Sequence, residues 1–117
     1  MEQFVTKLGK TRAGDRTRIW IEGKRLTEHG FKVGDLFAKH WNEKHRELVL
    51  SKIHPRTTEM MKRESYGKVS GKGEKPIIDI TGAKMQATFG LFESVVVTYD
   101  RGSIRIELGT AIKVGRV

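Results

Sequence analysis

One short pattern occurs twice in this chain, and that repetition limits its architecture more than any other feature. Ile19-Trp20-Ile21-Glu22-Gly23 returns as Ile78-Asp79-Ile80-Thr81-Gly82. Each is a brief apolar alternation ending at glycine, followed three residues later by Leu26 in one copy and Met85 in the other. Asp35-Leu36-Phe37-Ala38 then falls opposite Ser94-Val95-Val96-Val97 without a gap. Both copies close on a second alternation, Glu47-Leu48-Val49-Leu50 and Ser103-Ile104-Arg105-Ile106. Backwards, Phe4 to Leu8 and a basic loop from Gly9 to Arg16 precede the first copy. Tyr66 to Ser70 and Gly71-Lys72-Gly73-Glu74-Lys75 precede the second. The copies span 3–51 and 65–108, with a linker at 52–64 and a tail at 109–117, and the whole of 1–117 is expected to form a single compact domain.

Each copy reads as strand, basic loop, strand, short helical turn, strand, tight turn, strand, a ββαββ-like unit. Ile19 and Ile21 face one way, and Arg18, Trp20 and Glu22 the other. Leu36 and Ala38 alternate with Phe37 and Lys39; Val95, Val97 and Tyr99 alternate with Val96 and Thr98. Asp100-Arg101-Gly102 has hairpin chemistry, since glycine accepts the positive φ such turns need. Asn42 to His45 is its looser counterpart. Lys24 to Gly30 is too short for a helix that stands alone, and Gly30 suits a left-handed stop. A unit this small cannot bury both faces of its sheet. Two copies pressed together can, and the expected fold is mainly β: a pseudo-two-fold barrel that imitates a homodimer within one chain. A true homodimer, with halves exchanged between chains, is the other arrangement open to this pattern.

The residues Arg18-Ile19-Trp20-Ile21-Glu22-Gly23-Lys24-Arg25-Leu26, followed by Gly30-Phe31-Lys32-Val33-Gly34-Asp35, resemble the swapped-hairpin AbrB superfamily, in particular its SymE-like branch. Those proteins show an apolar strand, a short basic helix with a leucine, and Gly-hydrophobic-x-x-Gly-Asp leading into a strand. In the second copy Met85 replaces the leucine and Gly90-Leu91-Phe92-Glu93 replaces the glycine-aspartate motif. The chain is also similar to small domains beside phage-type cytosine methyltransferases, through Val69-Ser70-Gly71-Lys72 and Pro76-Ile77-Ile78-Asp79-Ile80. With no cysteine in the chain, the nucleophile of such a methyltransferase is missing. The AbrB resemblance implies an AbrB-like swapped-hairpin β-barrel and binding of duplex DNA through basic residues of the first hairpin. The SymE resemblance implies a rival, a toxin acting on RNA as an endoribonuclease or RNA binder.

Charge points the same way. Among 117 residues Lys and Arg number 23 and Asp and Glu 14, for a net charge of +9. Clustered positive charge on a small surface steers association with polyanions. The first copy gathers Lys7, Lys10, Arg12, Arg16 and Arg18, with Lys24 and Arg25 just beyond its strand. Arginine can fork onto phosphate or a guanine edge, and Gly9 and Gly14 let the backbone approach closely. Asp15 interrupts the run, either orienting an arginine or stabilising a turn. The second copy offers Lys68, Lys72, Lys75 and Lys84; lysine acts as a point charge with less geometric specificity. The first copy is therefore expected to read sequence or shape while the second holds the backbone. As ordinary structure, the same loops are solvated hairpin tips.

Trp20 can stack on an unpaired base or pack against the linker or short helix, the commoner use of an amphipathic aromatic. Phe37 and Trp41 are expected to fill a small satellite cluster. The stretch 57–64 reads as a plain connector, or as a short helix that would set Met60 and Met61 against the barrel. The tail pattern is open to an edge strand or to disorder.

Other chemistries find little support. His29, His40, His45 and His54 lack the spacing of a zinc site, and no other metal or cofactor is expected. Gly9-Lys10-Thr11 mimics the end of a P-loop, but Phe4 stands where its first glycine is required. No nucleophile and base pair can be assembled, although His29 is a conceivable base for RNA cleavage. No apolar run approaches the roughly 18 residues of a membrane span. The expectation is a non-enzymatic, cytoplasmic, nucleoid-associated protein, a regulator or architectural protein of a phage or mobile element. A module for an acidic protein partner is the third reading.

Overall fold

The structure, a computed structural model, describes residues 2–11, 14 and 16–109. In chain order the strands are β1 (Glu2–Lys7), β2 (Gly9–Lys10), β3 (Thr17–Glu22), β4 (Leu36–Asn42), β5 (Glu47–Ile53), β6 (Tyr66–Lys68), β7 (Ser70–Lys72), β8 (Lys75–Ile80), β9 (Ser94–Asp100) and β10 (Ser103–Glu107). Helix α1 (Lys24–Glu28) follows β3 and α2 (Ala83–Phe89) follows β8. The strands form two antiparallel sheets, one ordered β1-β9-β10-β5-β4-β6 and the other β2-β3-β8-β7.

The expected closed barrel is not what these strands make: both sheets have open edges. The physical reason lies at Leu8 and Val69, where the leading strand of each copy breaks and passes from the large sheet to the small one. Strands that switch sheets at a bend make the corners of a two-sheet packing. Both bends are pinned alike. The Leu8 amide donates to the Glu93 carbonyl at 2.8 Å, and the Val69 amide to the Asp35 carbonyl at 2.8 Å.

Pairing between the two segments is reciprocal. β1 pairs with β9 and β6 with β4, while β3 pairs with β8 and β5 with β10. Ile19 lies opposite Ile80 and Ile21 opposite Ile78, so exchanging matched residues turns each pair into the other. The same holds for Leu48 with Ile106 and Leu50 with Ile104. The core fills the space between the sheets: Ile19, Ile21, Leu48, Leu50, Ile78, Ile80, Ile104 and Ile106 are all buried. Leu26 anchors α1, and Met85 and Phe89 anchor α2, each fully buried.

The gapless match through the third strands is off by one residue. Leu8 and Val69 contact Glu93 and Asp35 respectively, and Trp41 faces Leu48 as Tyr99 faces Ile104. Asp35 therefore corresponds to Glu93, and the core-facing row Phe37, Lys39, Trp41 to Val95, Val97, Tyr99. A one-residue slip exchanges the two faces of a strand. The slip arises because α2 is two residues longer than α1 while the connection after it, 90–93 against 29–35, is three shorter, so the second copy is one residue shorter. Phe89 at the end of α2 buries the ring that Phe31 supplies from a loop.

Two smaller expectations also change. Phe37 belongs to the main core and Trp41 packs against it, so they form no separate cluster. The linker makes 3-10 turns at Pro55–Met60 and Arg63–Ser65, and Met60 is 94% exposed instead of packed. No helix among the described residues is long and apolar enough to cross a membrane.

Candidate nucleic-acid interface

The small sheet is two hairpins laid side by side. β2 and β3 form one, β7 and β8 the other, and β3 pairs with β8 between them. Alternation buries Thr17, Ile19 and Ile21 with Pro76, Ile78 and Ile80. It turns Arg18, Trp20 and Glu22, with Lys75, Ile77 and Asp79, to the outside. Lys72 and Ser70 join that face through their pairing with Lys75 and Ile77. Because β3 and β8 are antiparallel, the two hairpin tips point to opposite ends of the sheet, separated by about 24 Å for the seven strand steps from Thr17 to the level of Lys75.

Each tip is fixed by the helix of the other segment. At the first, the Thr17 amide donates to Gln86 Oε1 of α2 at 2.8 Å, and Lys10 Nζ to Thr17 Oγ1 at 3.3 Å. At the second, Gly23, which precedes α1, donates its amide to the Pro76 carbonyl at 3.2 Å. Lys72 pairs with Lys75 around a Gly73-Glu74 turn. Gly71 is required there: its φ is +107°, and a Cβ would lie 2.0 Å from the Lys75 carbonyl oxygen.

The predicted basic residues divide into groups. Arg18, Lys72 and Lys75 share the outer sheet face, and Lys75 meets Lys24 in a cavity of about 390 Å³ that also includes Glu22 and Glu74. Lys7 and Lys10 line a second cavity of about 540 Å³ with the loop Gly90 to Glu93. Arg16 is exposed at the first tip. Lys68 is exposed on β6, an edge of the large sheet. Lys84 opens α2 beside Lys39 and Trp41. Arg12 and Asp15 lie outside the described residues, as does the tail from 110 to 117.

Two of the arginines are already engaged. Arg18 donates Nε and Nη2 to the two carboxylate oxygens of Asp79 at 2.8 and 2.9 Å. That bond, opposed by desolvation and helped by the charge of Asp79, holds its guanidinium above the ordinary arginine range. The same group sits 4.6 Å from the centre of the Trp20 ring, which is 40% exposed. Arg18 thus lies over the Trp20 ring, which also lines a cleft with Arg25 of α1. Arg25 lies over Phe4, 3.3 Å from the ring centre. Phe4 meets Tyr99 edge-on at 6.0 Å. Burial pushes the Tyr99 hydroxyl up, with a small opposing pull from Arg25 and a reinforcing one from Glu2.

Lys39 escaped the sequence reading. It stands on the core-facing row of β4, opposite Leu50, and burial pushes its ammonium down, helped by Arg63 and Lys84 and opposed by Glu64. The signal was available, since Phe37, Lys39 and Trp41 share one parity. Arg46 was also missed: it donates to the Ala87 and Thr88 carbonyls at 2.8 and 3.1 Å, capping α2.

Compared with known proteins, the chain matches no family model, no curated protein and no solved structure.

Proposed function

We propose that this chain is a non-enzymatic nucleic-acid-binding protein of AbrB-like design, with duplex DNA as its preferred partner. The carrying observation is the placement of both basic hairpins in one sheet whose outer face exposes Trp20, Glu22, Lys75 and Asp79 among the described residues. Phosphates are neutralised by Arg16 at one tip and by Lys72, Lys75 and Lys24 at the other. Lysine and arginine at two separated tips contact a backbone at two points, which sets orientation before any base is read. Arg18 adds a contact when it exchanges Asp79 for phosphate, so its contribution is the difference between two charge-assisted bonds.

Fluorescence anisotropy with labelled duplex DNA, single-stranded DNA and RNA across a salt series tests this. Engagement of about five phosphates gives a log–log salt slope of about −4.5 on a duplex. Replacing Arg16 and Lys72 together is expected to flatten the slope, and replacing the linker cations Arg56 and Lys62 to leave it. Equal small losses at both sets would refute a defined site. A second reading, RNA binding, draws on the outward Trp20, whose ring can stack on an unpaired base once Arg18 moves aside. Preference for RNA over duplex, or RNA shortened on a gel, would establish that reading instead.

A further inference from the structure

The molecule has two matching clefts, one beside the start of each helix, and they are built differently. Beside α1, a cleft of about 190 Å³ includes Tyr99, Arg25 and Trp20. Phe4 from β1 and the guanidinium of Arg25 close over Tyr99, and Val97 completes the core-facing row. Beside α2, the cleft has about 300 Å³, with Trp41 in place of Tyr99 and Lys84 in place of Arg25. Here Lys39 stands where the other strand has Val97. The Tyr66–Ala38 pair brings Ser65, not a ring, to the position of Phe4.

Two lysines therefore share a cleft with an indole wall, and a third cation lies near them. Lys39 and Lys84 line it, Arg63 acts on Lys39 from nearby, and Glu64 is the only carboxylate among the lining residues. Gathering like charges on a half-buried site is unfavourable unless an anion completes it. The volume sits at the lower end of small-ligand pockets, roughly 300 Å³. An aromatic wall beside an anion site suits a planar ring joined to a phosphate.

We propose that the cleft between β4 and α2 binds a nucleoside phosphate, held by Lys39 and Lys84 at the phosphate and by Trp41 at the base. The nucleotide is either free or one unit of a single strand, since both present the same chemistry. The site does not depend on duplex binding by the sheet face.

The chain has two tryptophans, so Trp20→Phe leaves Trp41 as the sole indole reporter. Titration of that variant with adenosine monophosphate is expected to quench Trp41 saturably. Adenosine and inorganic phosphate, each lacking one half of the ligand, are expected to bind at least about tenfold more weakly. Lys39→Gln and Lys84→Gln, each added to that variant, are expected to weaken the nucleotide about tenfold with unchanged circular dichroism. Arg16→Gln and Lys72→Gln, which report on the sheet face, are expected to leave it as it is. A 5′-phosphorylated oligothymidine run in parallel separates the two sources: tighter binding than the mononucleotide assigns a strand, weaker binding a free nucleotide. No saturable response to either ligand, equal response to phosphate alone, or undiminished binding in both lysine variants overturns the proposal.

Discussion

Strands β4 and β9 hold matching places in the large sheet, each paired with the closing strand of its own hairpin and with the leading strand of the other segment. β9 presents Val95, Val97 and Tyr99 to the core and is buried along most of its length. β4 presents Phe37, Lys39 and Trp41, and burial falls off along it after Ala38. Val97 against Lys39 and Phe4 against Ser65 separate a smaller cleft closed by aromatic rings from a larger basic one. The lesson is that a duplicated unit need keep only one end closed for stability. The other end is then available for chemistry.

The sharpest way to break this comparison is to exchange those residues. Val97→Lys places a charge at a fully buried position with no anion provided. The expected loss is on the order of 3–5 kcal/mol, comparable to the whole stability of a small domain. A urea melt showing near-wild-type stability would mean that the β9 end is as open as the β4 end. Next in size are the helix anchors. Leu26 is the only buried residue of α1, whereas Met85 shares α2 with Thr88 and Phe89. Both Leu26→Ala and Met85→Ala are expected to cost about 2–5 kcal/mol, with Leu26→Ala the larger. The reverse order would show that α1 is held by its exposed side and not by its single anchor.

The helix ends sharpen the contrast further. The last turn of α1 is met by a backbone donor, the Gly102 amide on the His29 carbonyl at 2.8 Å. That of α2 is met by the Arg46 side chain, which also lies 5.5 Å from the centre of the Phe92 ring. Arg46→Ala is therefore expected to cost about 1–2 kcal/mol, read from the thermal midpoint with Lys44→Ala as a neutral control.

The smallest effect is Lys39→Val, which makes β4 resemble β9. Burial holds the folded-state pKa of Lys39 below its unfolded value, so the charged lysine weakens the fold throughout the range below that folded pKa. As pH rises from there toward the ordinary lysine value of 10.5, the folded state releases the proton first and the penalty is relieved. Lys39→Val is expected to raise the melting temperature modestly at neutral pH, and its advantage to shrink in alkali. A constant advantage across that range would assign the gain to packing alone.

Much of this architecture was legible. Parity placed Ile19 and Ile21 inside and Arg18 and Trp20 outside, and Gly30, with a φ of +91°, ends α1 as its sequence suggested. The bends at Leu8 and Val69 were not, because nothing in either residue type announces a corner. The slip between β4 and β9 was hidden because apolar residues run unbroken through Val95-Val96-Val97 and so fit either register. The basic residues were visible as a cluster, but their division was not. The partner that engages Arg18 is Asp79, 61 positions away along the chain, and arrives only through the β3–β8 pairing.

The reciprocal pairing also governs how the chain reaches this state. The pairings β1–β9, β3–β8, β5–β10 and β4–β6 all join the first segment to the second, so neither sheet is complete until the second has been made. Such non-local topology folds slowly, and the waiting segment exposes strand edges to other copies. The stretch between Ile53 and Tyr66 ties the two segments together, and in this single-chain pairing it raises the effective concentration of each for the other.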